Sequence, residues 1–331
     1  VLCGVGGVEP QTEKVWYQTD KYRIPRIAYV NKMDRVGSDF ADVVAQIEFK
    51  FKVVALPLQL PLGCEESFAG VIDLPSLKAY RYHDDLPGAR PATEEVPADS
   101  RDEALLHREH LVERLAELDN EVMELFLEKK DVPEAVLKKA VRAATIGLKA
   151  VPVLLGSSFR NKGVQNLLDA VVDYLPSPAD RADVAGSDPR NGRAQTRKLS
   201  DAEPLSALVF KIMTDPYVGQ LVYFRVYSGV VKVGATVLNS RRGQKLRVAK
   251  LLKMHANKRE EVESVHSGDI AATVGLKDVA TGDTLCDERH PILLDAIQFP
   301  EPVVQATIEP RLTSEHQKLD EVLAKLVSED P

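Results

Sequence analysis

The feature that most constrains this chain is a short apolar run that ends abruptly in a polar loop. Residues 27–30, Ile-Ala-Tyr-Val, have the composition of a buried strand, and Asn31-Lys32-Met33-Asp34 follows directly. In an open α/β sheet, ligand-binding residues lie just beyond the carboxyl ends of the strands. The run therefore predicts an α/β sheet with this loop at its ligand-binding edge.

The residue types in the loop suit guanine. The carboxylate of Asp34 can accept two parallel hydrogen bonds from N1–H and N2–H₂ of guanine, a pair of donors that adenine lacks. The amide of Asn31 can donate to N7, and the aliphatic stem of Lys32 can lie across the ring while its ammonium stays in water. The alternative is that these residues form only a polar turn after a strand.

A second strand and loop favour the guanine interpretation. Residues 151–155, Val-Pro-Val-Leu-Leu, precede Gly156-Ser157-Ser158-Phe159, and backbone N–H groups of that loop could reach guanine O6. Two strand-end loops that converge on one purine are a stronger signal than either loop alone. We therefore expect the guanine site to consist of Asn31, Lys32, Asp34, Ser157, Ser158 and Phe159.

Three segments carry a resemblance to a known family. Residues 5–13 (Val-Gly-Gly-Val-Glu-Pro-Gln-Thr-Glu), 30–35 (Val-Asn-Lys-Met-Asp-Arg) and 156–165 (Gly-Ser-Ser-Phe-Arg-Asn-Lys-Gly-Val-Gln) resemble bacterial-type elongation factor G. That family comprises the translational GTPases that drive ribosomal translocation of tRNA and mRNA. The resemblance follows the family's order along nearly all of the chain. It implies a GTPase domain of the P-loop NTPase type, GTP or GDP as ligand, and a cytoplasmic protein that acts on the ribosome.

The catalytic half of such a site is missing from the sequence. The phosphate-binding string Gly-x-x-x-x-Gly-Lys-Ser/Thr does not occur, and no usable Asp-x-x-Gly precedes Asn31. Asp85-Leu86-Pro87-Gly88 follows Asn31 instead, in a polar stretch, and we interpret it as a turn. The resemblance places these motifs and the Mg²⁺ ligands upstream of Val1. We therefore expect a fragment without catalytic or metal-ligating residues, which does not hydrolyse GTP.

The length of 331 residues exceeds one ordinary core and predicts several domains. We predict a multidomain chain: the C-terminal part of an α/β GTPase domain at 1–178, a linker at 179–203, an all-β barrel at 204–299, and the truncated start of an α+β domain at 300–331. The linker is polar and lacks periodicity. The last segment contains a predicted strand at 303–308 and a predicted helix at 313–326.

An insertion interrupts the first domain, because 126 positions separate Asn31 from Ser157 where one crossover would need about 30. We assign residues 60–149 to it as an α+β subdomain. Its predicted elements are β-type stretches at 68–74 and 78–82, a polar loop at 84–99, and helices at 101–130 and 134–148. After the second loop, we predict a helix at 164–174 that turns Val164, Leu167, Leu168, Val171 and Val172 inward.

Charge is distributed unevenly. Residues 84–134 contain 16 acidic and six basic residues, whereas residues 211–261 contain 11 basic and three acidic ones. The resemblance implies that the acidic insertion contacts the ribosomal stalk protein. Arg241, Arg242, Lys245 and Arg247 of the barrel could meet phosphates of rRNA. The alternative for each region is a solvated face.

Other bulk properties exclude several classes of protein. The sequence contains no run of about 18 apolar residues, so it predicts no membrane span. The three cysteines, Cys3, Cys64 and Cys286, lie far apart, which favours a reducing cytosol over a disulfide framework. We expect a monomer. Two alternatives to elongation factor G stay open: a related translational GTPase, such as a ribosomal-protection protein, an alternative elongation factor G or a release-type factor, and a non-catalytic ribosome- or RNA-binding module.

Overall fold

The chain divides into two units, Val1–Pro176 and Ser177–Pro331. The computed structural model describes residues 1–82, 90–181, 183–215, 219–255, 258–276, 278–295, 297, 306–310 and 316–329. The turn predicted at Asp85-Leu86-Pro87-Gly88 lies outside the described residues.

The described part of the first unit contains eight strands and six α-helices. Its strands are β1 (Leu2–Cys3), β2 (Ala28–Asn31), β3 (Val54–Pro57), β4 (Gln59–Leu62), β5 (Gly70–Asp73), β6 (Lys78–Arg81), β7 (Ala92–Glu95) and β8 (Ala150–Leu155). Its helices are α1 (Pro10–Lys21), α2 (Phe40–Phe51), α3 (Arg101–Ala116), α4 (Asn120–Leu127), α5 (Glu134–Ile146) and α6 (Val164–Tyr174).

A parallel sheet in the order β1-β2-β8-β3 forms the centre of this unit. All six residues of β8 are buried, which explains why its sequence is apolar without alternation. Apolar residues of α2 pack on the same core as Val30 and Val153; they are Phe40, Val43, Val44 and Ile47. The predicted α/β class is confirmed. The pairing of β2 with β8 sets the carboxyl ends of these two strands side by side.

The insertion contains an antiparallel sheet in the order β4-β5-β6-β7 and the helices α3, α4 and α5. We predicted one helix over 101–130, and this is wrong: α3 ends at Ala116 and α4 begins at Asn120. The side chain of Asp119 accepts hydrogen bonds from the backbone N–H groups of Glu121 and Val122 and so caps a new helix. Strand β7 lies in the predicted polar loop, where it pairs with β6.

The buried face of α6 also differs from the prediction. Ala170 and Tyr174 are its buried residues, whereas Leu168, Val171 and Val172 are exposed. Tyr174 joins the core cluster that contains Leu137 and Val141 of α5. Leu167, which was predicted to face inward, packs against the same cluster. The inward face therefore includes one of the predicted aliphatic residues, together with an alanine and a tyrosine that were not predicted.

The second unit is almost entirely β-structure in its described part. Its strands are β9 (Val184–Ser187), β10 (Ala194–Arg197), β11 (Ser206–Asp215), β12 (Gly219–Ser228), β13 (Val231–Lys232), β14 (Thr236–Asn239), β15 (Gln244–Arg247), β16 (Lys250–His255), β17 (Lys258–Val262), β18 (Ser264–Val265), β19 (Ile270–Val274), β20 (Thr284–Cys286) and β21 (Leu293–Leu294).

Eight of these strands form one antiparallel sheet in the order β15-β14-β20-β11-β12-β19-β16-β17. Its core consists mainly of valine and leucine, with Phe224 as its largest fully buried side chain. The predicted all-β class is confirmed. Residues 179–203, predicted as a linker without regular structure, instead contain β9 and β10, which pair with each other and with β21.

The last segment contains a helix, α7 (His316–Glu329), close to the predicted one at 313–326. The strand predicted at 303–308 lies partly outside the described residues, and the described part, 306–308, is not in a strand. Val322 and Leu326 of α7 are exposed.

Candidate functional site: two adjacent strand-end loops

The two predicted guanine loops are adjacent in the structure. Parallel pairing places Ala28 opposite Val153 and Val30 opposite Leu155, so both strands end at the same level. Beyond the strands, Gly156 N–H donates to Val30 O at 2.9 Å and Met33 N–H donates to Gly156 O at 3.2 Å. Backbone hydrogen bonds therefore hold the loops together, although 127 positions separate Asn31 from Ser158.

Asn31 connects the loops through its side-chain oxygen. Its Oδ1 accepts from Ser158 N at 2.9 Å, from Ser158 Oγ at 3.1 Å and from Lys32 N at 2.8 Å. No described residue accepts a hydrogen bond from Nδ2. The amide is thus fixed by its oxygen, with its N–H₂ group available to a ligand, which is the polarity needed for donation to a purine N7.

Asp34 lies at the wall of an open cavity of about 380 Å³. The cavity is lined by Asn31, Lys32, Asp34, Arg35, Ser157, Phe159 and Arg160. The side chain of Asp34 is 24% exposed, and its Oδ2 lies 3.8 Å from Nε of Arg160. Because the carboxylate is accessible and is not enclosed in the core, it can exchange this cation for hydrogen-bond donors of a ligand.

The remaining predicted residues differ in their surroundings. Lys32 is exposed and has a left-handed backbone (φ 67°), which turns the chain between Asn31 and Asp34. Phe159 is 92% exposed at the cavity. Ser157 is buried, and its Oγ has no hydrogen-bond partner among the described residues.

The backbone donors of the second loop are partly occupied. Ser157 N–H donates to Lys162 O at 2.8 Å, and Ser158 N–H donates to Asn31. The N–H of Phe159 has no partner among the described residues, so it is an available donor for a carbonyl such as guanine O6. Because Asn31 Oδ1 holds the N–H of Ser158, the expectation that the loop's N–H groups reach O6 depends, in this geometry, on Phe159.

Close packing requires glycine at the start of the second loop. A Cβ atom on Gly156 would lie 2.2 Å from Tyr29 Oη and 2.4 Å from Lys162 O, which no side chain tolerates. The hydroxyl of Tyr29 donates to Lys162 O at 3.3 Å, and burial raises the pKa of Tyr29 to about 12. The phenol is therefore neutral and can donate at physiological pH.

Four residues at or behind the cavity were not predicted as site residues: Tyr29, Arg35, Arg160 and Lys162. Arg35 and Arg160 each stand next to a predicted loop, so their positive charge beside a carboxylate was the available signal. No local sequence signal marks Tyr29 or Lys162, because their role depends on contacts across the sheet.

The described residues do not form a metal site: no group of three or more His, Cys, Asp or Glu side chains among them could hold an ion. The sequence also lacks the phosphate-loop Ser or Thr that binds Mg²⁺ in P-loop proteins. The residues present therefore do not fit Mg²⁺.

A separate basic surface occupies the turn between β14 and β15. The buried carboxylate of Asp283 accepts from Arg242 Nε at 3.1 Å and from Asn239 Nδ2 at 2.8 Å, and it lies 3.8 Å from Arg241 Nε. Both arginines are exposed, as are Lys245 and Arg247 of β15. One buried acid thus lies close to two arginines at the turn, one of them through a hydrogen bond.

Comparison with known proteins gives one match in each of the two units of the chain. The family model described as "Elongation factor Tu GTP binding domain" matches residues 1–177, and "Elongation factor Tu domain 2" matches residues 219–286. The first match covers more than half of the chain and includes both loops. No helix in the described part of the chain has the length and apolar character to cross a bilayer.

A solved structure is also similar along the whole chain. A crystal structure of a protein from Thermus thermophilus superposes with a TM-score of 0.81 and 28% sequence identity, over 100% of this chain. The match covers 46% of that protein, so this chain spans less than half of its length.

Proposed function

The chain belongs to the family of the elongation factor Tu GTP-binding domain, and we propose that it is part of a ribosome-dependent translational GTPase of the elongation factor G type. In this proposal the whole protein promotes translocation of tRNA and mRNA. The chain itself supplies guanine recognition, a surface for a ribosomal protein and a surface for rRNA. We infer that the protein works in the cytoplasm.

The observation that carries the proposal is the meeting of Asn31, Asp34 and the 156–160 loop around one cavity. An amide donor, a carboxylate acceptor and a free backbone N–H stand on its walls. These match N7, the N1–H and N2–H₂ pair, and O6 of guanine, respectively. Adenine would leave the carboxylate without donors and would direct an N6 amine at the backbone N–H.

Each residue then has a defined part in binding. Asp34 exchanges Arg160 for the two donors of the base, and Asn31 donates Nδ2–H to N7 while Oδ1 stays on the second loop. The stem of Lys32 covers one ring face, and exposed Phe159 stands at the opposite loop. Ser157 stands at the cavity and keeps the loop closed through its backbone hydrogen bonds with Lys162.

We propose that this chain binds guanine nucleotides weakly and does not hydrolyse them. Phosphate groups supply much of the affinity in P-loop GTPases, and the sequence has no phosphate-binding string to hold them. Phosphate-release assays on the purified chain should remain at background.

For the insertion, we propose that a ribosomal stalk protein is the partner. An open groove of about 730 Å³ lies between α3 and the end of α4, and the partly exposed Leu105 and the exposed Leu127 stand at it. The charged residues that line the groove have both signs: Glu109 and Asp131 are acidic, and Arg108, Lys129 and Lys130 are basic. Apolar contacts with a charged rim are typical of protein–protein interfaces.

A matched pair of nucleotides tests the proposed site. Replacing Asp34→Asn turns a double acceptor into a group that offers one donor and one acceptor. That suits xanthine, whose C2 carbonyl replaces the guanine amine. We expect the variant to lose affinity for GDP by about 1–3 kcal/mol, or roughly 5- to 150-fold, and to gain affinity for XDP. Equilibrium fluorescence titration measures both constants.

The control is Asp169→Asn, which removes an exposed carboxylate from α6 outside the cavity. It should bind GDP like the parent chain. Equal GDP affinity of the parent, Asp34→Asn and Asp169→Asn chains would contradict the guanine site.

A second function is favoured by the basic surface on the all-β unit. Because Asp283 fixes Arg241 and Arg242 at one turn, these cations need little ordering to meet RNA phosphates. A non-catalytic ribosome-binding module would sediment with ribosomes without nucleotide, and the pellet would shrink as salt rises. Arg241→Gln/Arg242→Gln should abolish that sedimentation, whereas Asp34→Asn should leave it unchanged.

A further inference from the structure

Lys162 is a charged side chain in the interior of the first unit. It is 7% exposed, although lysine is rarely buried. Its Nζ donates to the backbone oxygen of Phe68 at 2.9 Å, and Phe68 is itself buried. Phe68 lies at the start of the insertion, just before β5. A buried ammonium therefore joins the insertion to the residue that ends the second guanine loop.

The main chain of Lys162 closes that loop. Ser157 N–H donates to Lys162 O at 2.8 Å, and Lys162 N–H donates to Ser157 O at 3.0 Å, so the two residues form an isolated bridge. Tyr29 of β2 also donates to Lys162 O. Residues 158–161 thus form a short loop whose two ends are joined by hydrogen bonds. Ser158, within this loop, contacts Asn31.

We propose that Lys162 is a positioning residue for guanine recognition, which fixes the 157–162 loop against the carbonyl of Phe68. The inference rests on the function proposed above and names a part of the same site. The chain of contacts runs from Phe68 O through Nζ to the Ser157–Lys162 bridge, then through Ser158 to Asn31. Loss of the hydrogen bond between Nζ and Phe68 O would displace the backbone N–H groups of the loop. It would also disturb the hydrogen bonds that orient Asn31.

In this proposal, the contact between Phe68 and Lys162 couples the insertion to guanine binding. Since Phe68 O belongs to the insertion and Lys162 to the loop, a ligand that shifts Phe68 changes guanine affinity. By linkage, guanine changes affinity for that ligand by the same factor.

The test replaces Lys162→Met, which keeps the length of the stem and removes the ammonium. We expect GDP affinity to fall about tenfold or more, together with faster hydrogen exchange of the Ser158 amide. Lys162→Arg retains a donor for Phe68 O and should recover part of the affinity.

Arg142→Met is the matched control. Arg142 of α5 donates to the backbone oxygens of Asp173 at 3.0 Å and Leu175 at 2.9 Å, so it also joins the insertion to the segment after the loop. It should reduce stability and leave GDP affinity within about twofold of the parent. Equal GDP affinity of Lys162→Met and the parent chain would overturn the positioning role.

Tyr29→Phe keeps the proposal testable if Lys162→Met does not fold. It removes only the hydroxyl that donates to Lys162 O, and we expect weaker GDP binding with faster exchange at Ser158. Unchanged binding and exchange would overturn the proposal. If the parent chain binds no guanine nucleotide at all, the proposed guanine site is wrong. If the parent chain binds GDP and the variants bind it equally well, only the positioning role of Lys162 is wrong.

Discussion

At the scale of single residues, the carboxylate of Asp34 has two competing partners. Arg160 Nε lies 3.8 Å from Oδ2 and its side chain is 59% exposed, so this ion pair is screened by water. A guanine base would offer two directed hydrogen bonds instead of one loose cation. We therefore regard Arg160 as a partner that guanine displaces.

A substitution of Arg160 tests whether this residue competes with guanine for Asp34. Arg160→Gln should strengthen binding of guanosine or GDP about two- to fivefold, because an exposed pair is worth at most about 1 kcal/mol. Arg35→Gln removes the same charge from the cavity wall and is the control, since no ion pair joins Arg35 to Asp34 among the described residues. Weaker binding by Arg160→Gln, with Arg35→Gln unchanged, would mean that Arg160 contacts the nucleotide.

Much of the site was predictable at the residue scale because its signals are local. Asn31, Asp34 and Ser158 each follow an apolar strand, and parallel strands present their carboxyl ends at one edge of a sheet. The occupied N–H of Ser157 and the buried ammonium of Lys162 were not predictable. Both depend on contacts with residues that the local sequence does not identify, Lys162 O and Phe68 O.

At the scale of elements, sequence periodicity predicted which segments are helices better than where they end. Leucine and glutamate continue at helical spacing from 101 to 130, so the interruption before Asn120 had only Asp119 as its signal. Strands β9 and β10 have only four residues each, and β9 pairs with β21, about 100 residues away. Stability from such distant pairing leaves no local pattern.

The helix interruption gives a prediction. Asp119→Ala removes the cap on Glu121 and Val122 and should lower the free energy of unfolding by about 1 kcal/mol. Urea denaturation followed by circular dichroism measures this change. Asn120→Ala alters the neighbouring exposed position and should change stability by no more than about 0.5 kcal/mol. A more stable Asp119→Ala chain would indicate that one continuous helix is the better arrangement.

At the scale of the whole molecule, two units of different class occur in one chain. The first has buried tyrosines around its cores: burial raises the pKa of Tyr29 and of Tyr82 to about 12 each, and it raises that of Tyr174 further. Tyr82 Oη donates to Asn166 Oδ1 of α6 at 2.5 Å, so its proton is also used in a hydrogen bond. These phenols stabilise the unit only in their neutral form.

The sign of the pH dependence follows from these raised values. An unfolded tyrosine ionises near pH 10, so the stabilisation is complete below pH 10 and is lost as the pH rises toward 12. Each phenol should contribute no more than about 1.4 kcal/mol per pH unit to this loss. Urea unfolding at pH 8, 10 and 11 measures it.

Tyr82→Phe should reduce the loss of stability above pH 10, and Tyr17→Phe, which alters an exposed tyrosine, should not. An identical pH dependence in the parent and the Tyr82→Phe chains would contradict the role of burial.

A two-dimensional ¹H–¹⁵N spectrum of the chain, titrated with GDP and separately with ADP, tests directly whether the two loops recognise guanine together. We expect the amides of residues 31–35 and 156–160 to shift together with GDP, along one binding curve, and to remain unchanged at the same concentration of ADP. Shifts confined to one loop, or equal shifts with both nucleotides, would contradict guanine recognition by the paired loops.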